Sequence, residues 1–141
     1  MIKSAKTTSQ HETPHSVLIV DDDKFLLDMY AMKFEEQKFK VSTAFNAQDA
    51  LAKLSDPLLK PDILLLDIVM PGMDGFELLQ ELNKKNIAPN AARIILSNLG
   101  QKEDIDKGLS LGAQGYIVKA SATPSEVVAR VLDIVEKKKE E

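Results

Sequence analysis

Charged and hydroxyl-bearing residues stand wherever a short apolar run stops. VLIV (17–20) gives way to Asp21-Asp22-Asp23, ILLL (63–66) to Asp67, RIIL (93–96) to Ser97-Asn98, and GYIV (115–118) to Lys119-Ala120-Ser121. Any one of these taken alone is explained by a turn, a helix cap or a surface lysine. Brought together, they have chemistry. Asp21 and Asp22 facing Asp67 would repel by about 4 kcal/mol per pair at ~4 Å in an effective dielectric of 20, so something cationic must sit among them. Hard oxygen ligands with no His or Cys nearby suit Mg²⁺, which shares its shell with waters and a phosphoryl oxygen. Lys119 would add a second positive charge. Asp67, fixed at the tip of a rigid buried strand, then has the setting of a nucleophile for phosphoryl transfer, a reaction that asks chiefly for positioning and charge stabilisation. In this reading Asp67 attacks, Asp21 and Asp22 hold the metal, Lys119 neutralises one oxygen and Ser97 offers its hydroxyl to another.

The elements that must position these residues alternate. Strands are read at VLIV (17–20), FKVSTA (39–44), ILLL (63–66), RIIL (93–96) and GYIV (115–118). Between and after them lie helical stripes: Leu26, Met29, Tyr30 and Phe34; Ala47, Ala50, Leu51 and Leu54; and Val128, Val131, Leu132 and Val135. Asp74-Gly75-Phe76-Glu77 has the spacing of a capping box ahead of Leu78, Leu79 and Leu82. Glu103 to Leu111 is the weakest helical pattern, because Gly108 interrupts it. Pro71-Gly72 fits the central pair of a type II turn, with glycine supplying positive φ. Five β-α units in strict alternation require a doubly wound α/β domain with a five-stranded parallel sheet covered by helices on both faces. Continuous rather than alternating apolar strands agree with burial on both sides. All strand C-termini then share one edge, which is where such sheets bind ligands.

Composition narrows the classes. The 141 residues, 44% of them hydrophobic, suffice for one domain with a substantial core. With no cysteine there is no disulfide framework and no thiol nucleophile, and a cytoplasmic location is expected. No apolar run approaches the ~20 residues of a membrane span, and the opening MIKSAKTTSQHETPHS lacks the apolar centre of a secretory signal. A net charge of −4 argues against direct nucleic-acid binding. Residues 1–15 read as a flexible tail, with His11 and His15 as solvated side chains, residues 16–138 as the domain, and 139–141 as a charged end.

These residues carry a resemblance. LIVDDD (18–23), LLLDIVMPGMDG (64–75), IILSN (94–98) and GYIVKAS (115–121) stand in the order and spacing of the receiver domain of bacterial two-component response regulators, and the chain resembles that family over roughly residues 16–138. The resemblance implies a flavodoxin-like sheet in order 2-1-3-4-5. It implies that Asp67 accepts phosphate from the phosphohistidine of a sensor histidine kinase or phosphotransfer protein. Asp21, Asp22, Asp67 and the backbone carbonyl of Val69 would be the Mg²⁺ ligands. Ser97 is similar to the family's switch hydroxyl, Tyr116 to its switch aromatic, and Lys119 to the lysine that bonds the phosphoryl oxygen. The surface of the fourth helix, fifth strand and fifth helix would face a downstream protein or a second copy in a phosphorylation-dependent homodimer. The chain stops soon after the fifth helix, so the expectation is a stand-alone receiver or a fragment of something longer.

Two positions depart from the family pattern. Ala120 replaces the usual proline, often preceded by a cis bond, and a cis bond before a non-proline residue costs ~2.5 to 4 kcal/mol. The alternative is a trans peptide with Lys119 aimed a little differently. Asn98 replaces a small residue after the switch hydroxyl and bears on access for phosphodonors. Val69 and Leu99, at the positions that tune hydrolysis of the phosphoaspartate, are apolar and cannot orient a water, so a slow-decaying phosphorylated state is expected. Conventional substrate turnover is not expected, only self-catalysed phosphoryl transfer and slow autodephosphorylation. A Mg²⁺-dependent phosphohydrolase with an Asp nucleophile would need an acid where Val69 stands. A flavin module would need a hydroxyl- or glycine-rich phosphate loop where DDDKF stands. A receiver serving purely as a protein-binding scaffold is the remaining alternative.

Overall fold

The computed structural model describes residues 15–140, the side chains of 138–140 excepted; the tail expected at residues 1–15, with His11, lies outside the described residues apart from His15. Five strands, β1 (Ser16–Val20), β2 (Lys40–Ala44), β3 (Ile63–Leu66), β4 (Ala92–Ser97) and β5 (Gly115–Val118), alternate with α1 (Lys24–Glu36), α2 (Ala47–Leu54), α3 (Gly75–Lys84), α4 (Lys102–Ser110) and α5 (Pro124–Glu140). A single 3₁₀ turn, Lys119–Ser121, joins β5 to α5. The sheet is parallel throughout, as the alternating pattern requires, and has the order β2-β1-β3-β4-β5 that the resemblance implies.

Alternate residues of each strand feed two cores. Val17, Ile19, Ile63, Leu65, Ile94 and Leu96 pack beneath α1 and α5, while Leu18, Val20, Leu64, Leu66 and Ile95 pack beneath α2 and α3. β3, the central strand, is buried at every position, which explains its unbroken ILLL. The buried line of α1 is Leu27, Tyr30 and Phe34; Leu26 and Met29, expected on the stripe, are only half-buried. α5 likewise buries Val127 beside Val128, Val131 and Val135 and leaves Leu132 half-buried. In both helices the apolar positions outnumber those the narrow contact line on the sheet can cover. β2 begins at Lys40 rather than Phe39, because Lys38 takes a left-handed φ of 71° that swings the chain out of α1. Phe39 instead packs edge-on against Phe34, ring centroids 4.8 Å apart. His15 lies tilted against Phe39 at 5.6 Å.

The capping box expected at α3 is complete. The Asp74 side chain accepts the Glu77 N–H at 2.9 Å, and the Glu77 side chain accepts the Asp74 N–H at 2.8 Å. Gly72 has φ 77°, as the second central position of a type II turn requires. Gly108, which weakened the pattern for α4, is buried against the sheet: a Cβ there would lie 2.5 Å from Ile95 Cδ1 and 3.3 Å from the Tyr116 ring. It lets α4 approach the sheet rather than breaking the helix. No helix among the described residues is long and apolar enough to cross a membrane.

Candidate active site at the strand tips

The sheet register delivers the site. β1 and β3 pair up to Val20↔Leu66, so the next residues, Asp21 and Asp67, leave the sheet side by side. Their backbones continue the ladder, Asp67 N–H donating to the Val20 carbonyl at 2.9 Å and Asp21 N–H to the Ala44 carbonyl at 3.1 Å. Strand order reverses between β1 and β3, the switch point where open α/β sheets form a crevice. Gly75 closes the floor. Its N–H donates to the Ile68 carbonyl at 2.9 Å, and a Cβ on it would lie 2.3 Å from the Asp67 backbone oxygen.

Asp21 and Asp67 are 2% and 6% exposed. Lys119 Nζ, whose side chain is 9% exposed, lies 2.8 Å from Asp21 Oδ2 and 2.8 Å from Asp67 Oδ2. One ammonium thus bridges two buried carboxylates. The remaining oxygens are also engaged: Asp21 Oδ1 accepts the Asp23 N–H at 2.9 Å, and Asp67 Oδ1 accepts the Ile68 N–H at 2.7 Å. Both carboxylate planes are therefore held. Burial pushes the Asp21 carboxyl above its ordinary value, outweighing the hydrogen bonds from Lys119 and the Asp23 N–H that pull it down. For Lys119 the balance falls the other way. Burial works against its charge, but the two carboxylates together raise its pKa, so the ammonium stays charged. Burial governs the Asp21 shift, whereas the two carboxylate partners govern that of Lys119.

Asp22 is exposed beside this pair, and one oxygen from each of Asp21, Asp22 and Asp67 lies within 4.8 Å of the others. Three hard carboxylate oxygens with no softer donor fit Mg²⁺. Asp23 leaves the group: its side chain caps α1, accepting the Leu26 N–H at 3.1 Å. Val69, two residues beyond Asp67, turns an apolar side chain to solvent at 59% exposure.

Ser97 ends β4 completely buried, and its hydroxyl accepts the Leu99 N–H at 3.3 Å. Tyr116 is half-buried on β5, and its hydroxyl donates to the Leu99 carbonyl at 2.5 Å. The backbone of Leu99 therefore joins the two. Burial, then the negative charge of Asp104 and Asp67, pushes the Tyr116 phenol up to about 12. Among the described residues every peptide bond is trans, Lys119-Ala120 included, and Lys119 still reaches both carboxylates. Asn98 Oδ1 accepts the Ala120 N–H at 3.1 Å, a contact the sequence reading did not anticipate. The buried Arg93 was also missed. Its guanidinium donates to the carbonyls of Ile87, Ala88 and Ala91 and braces the turn before β4.

Comparison with known proteins places this geometry. The family model described as the response regulator receiver domain matches residues 17–132. The regulatory protein VanRc of Enterococcus gallinarum is 35% identical over 117 residues, 82% of this chain and 47% of that protein, so the chain spans about half the length of this curated relative. The Francisella response regulator 1452 receiver domain superposes with a TM-score of 0.77 at 33% identity, covering 88% of this chain and 98% of that one. The CheY-like receiver domain protein of Methanospirillum hungatei JF-1 gives 0.78 at 29% identity, covering 92% and 100%. The chain belongs to the response regulator receiver domain family, whose members work in phosphorylation-based signalling.

Proposed function

We propose that the protein is a two-component signalling switch that accepts a phosphoryl group on Asp67 from the phosphohistidine of a sensor kinase or phosphotransfer protein, with Mg²⁺ as cofactor. The observation that carries this reading is the bridge from Lys119 Nζ to Asp67 Oδ2 and Asp21 Oδ2, 2.8 Å to each. It fixes a nucleophilic carboxylate beside a cation at the C-terminal edge of the sheet, next to the exposed Asp22. Asp67 forms an O–P bond as the P–N bond of the donor breaks, the bonding electrons leaving with the imidazole nitrogen. Lys119 is positioned to follow a phosphoryl oxygen once Asp67 has become an acyl phosphate. Asp21, Asp22 and Asp67, with the Val69 carbonyl, would hold Mg²⁺; when bound, it would supply positive charge against the crowded carboxylates and the incoming oxygens.

The switch would run through Leu99. If the Ser97 hydroxyl turns toward a phosphoryl oxygen, it releases the Leu99 N–H, and the Leu99 carbonyl is what holds the Tyr116 hydroxyl. The α4–β5–α5 surface is the face this would alter and the face proposed for a downstream protein or a second copy. Val69 and Leu99 offer no group to orient a water, so the phosphorylated state is long-lived and free phosphoesters are not turned over. The test incubates the protein with Mg²⁺ and acetyl phosphate or beryllofluoride and follows mass and oligomeric state. A one-phosphate gain lost in Asp67→Asn is expected. Steady release of phosphate from simple esters would favour a hydrolase, no response at all would favour a phosphorylation-independent scaffold, and a phosphorylated lifetime of a few seconds would refute the slow-decay reading.

A further inference from the structure

Pairing of β4 with β5 ends at Ser97↔Val118, so Asn98 and Lys119 leave the sheet next to each other. Lys119 then enters a 3₁₀ turn whose closing hydrogen bond, Ala122 N–H to the Lys119 carbonyl, is long at 3.4 Å. Such a turn does little to fix the direction in which its first side chain sets out. The shorter bond there comes from outside it: Asn98 Oδ1 accepts the Ala120 N–H at 3.1 Å, across 22 residues of sequence. The donor exists only because residue 120 is not proline, which has no N–H. The acceptor must be the amide oxygen, because the partner is a backbone donor.

We propose that Asn98 is a positioning residue for phosphoryl transfer, its side-chain oxygen clamping the Ala120 N–H so that the adjoining Lys119 is aimed at Asp21 and Asp67. The inference rests on the phosphoacceptor reading above. Asn98 touches neither carboxylate. It acts by tying the loop after β4, which begins next to Ser97, to the loop after β5, which carries the ammonium. Movement of one loop is therefore transmitted to the other, and the two departures from the family pattern, Asn98 and Ala120, form one device.

The test compares the protein with Asn98→Ala and Asn98→Asp, reading amide hydrogen exchange at Ala120, Mg²⁺ affinity, beryllofluoride affinity in saturating Mg²⁺, and melting temperature. Asn98→Ala is expected to speed exchange at Ala120 and to weaken beryllofluoride binding by about 2- to 10-fold, the range of one net hydrogen bond. Mg²⁺ affinity does not fall, because the three carboxylates are untouched, and the melting temperature drops by only about 2–7 °C, the range of one net hydrogen bond in a domain of this size. Asn98→Asp, which keeps an acceptor oxygen at the same reach, restores slow exchange. Unaltered exchange at Ala120 in Asn98→Ala, or unaltered beryllofluoride affinity, would overturn the proposal, and so would a fall in Mg²⁺ affinity together with a melting-temperature drop of about 10 °C or more, the sign of general damage to the fold. If the unsubstituted protein binds no beryllofluoride while the exchange difference persists, the phosphoacceptor reading falls and the positioning role falls with it.

Discussion

Replacing Lys119 with methionine keeps the length of the side chain and removes the only cation bonded to two buried carboxylates among the described residues. At 2.8 Å in an effective dielectric of 20, each ion contact is worth about 6 kcal/mol before desolvation, and repulsion between Asp21 and Asp67 costs about 3 kcal/mol or more. Desolvation of three ions cancels much of the attraction in the parent, but in the variant the carboxylates remain buried with nothing opposite them. The net loss on removing one partner of a buried ion cluster is about 3–5 kcal/mol. For a domain of this size each kcal/mol moves the melting temperature by about 3–5 °C, so Lys119→Met is expected to melt about 10–20 °C lower in metal-free buffer at neutral pH.

Two further readings separate this from ordinary core damage. Mg²⁺ should stabilise the variant more than the parent, since no ammonium competes with it for the oxygens. The deficit should also depend on pH. Burial already holds the Asp21 carboxyl above its ordinary 3.8, and losing Lys119 removes an opposing hydrogen bond and charge. A carboxyl whose pKa rises on folding destabilises the fold above that raised pKa and ceases to do so as pH falls to 3.8, so the deficit shrinks under mild acid. Lys119, whose pKa also rises on folding, contributes stability that is full below 10.5 and lost as pH rises through its folded value, so parent and variant converge in strong alkali. Scanning calorimetry over this range, with and without Mg²⁺, is the assay. Equal melting temperatures in metal-free buffer, or equal Mg²⁺ stabilisation of the two proteins, would refute the electrostatic account.

A Cβ at Gly75 would meet backbone atoms, the Asp67 oxygen at 2.3 Å and Ile68 Cα at 2.8 Å, whereas one at Gly108 would meet the ends of the Ile95 and Tyr116 side chains. Gly75→Ala is therefore expected to cost more than Gly108→Ala in urea unfolding, about 3 kcal/mol against about 1, after alanine's helix preference of about 1 kcal/mol is set against the crowding; the reverse order would sink the close-approach argument. The Tyr116 phenol should titrate near 12, above its ordinary 10.0, in tyrosinate absorbance. A phenol whose pKa rises on folding contributes stability below 10.0 that is lost as pH rises toward 12, so Tyr116→Phe should narrow the alkaline loss of stability; a Tyr116 midpoint at 10 would contradict its burial.

What could be read from the sequence was what depends on neighbours along the chain. ILLL followed by Asp67 announces both a strand buried on two faces and a carboxylate at its tip, and GYIV followed by Lys119 does the same for the cation; the sheet order then has few solutions. The capping box at Asp74 and Glu77 is equally local. What resisted reading depends on elements meeting across the fold. Gly108 looks like a helix breaker until Ile95 and Tyr116 are seen to need its missing side chain. Arg93 looks like a polar strand residue until the chain before it, with Asn86 and Ala88 at left-handed φ of 55° and 48°, turns its carbonyls toward the guanidinium. Leu27 rather than Leu26 faces the core because the docking angle of α1, which periodicity does not specify, selects among adjacent apolar positions. Asn98 and Ala120 each read as an isolated departure, and only the parallel register of β4 and β5 brings the amide oxygen of one within 3.1 Å of the N–H of the other. A family pattern scored position by position registers two defects there, whereas the geometry supplies a donor and an acceptor that require each other.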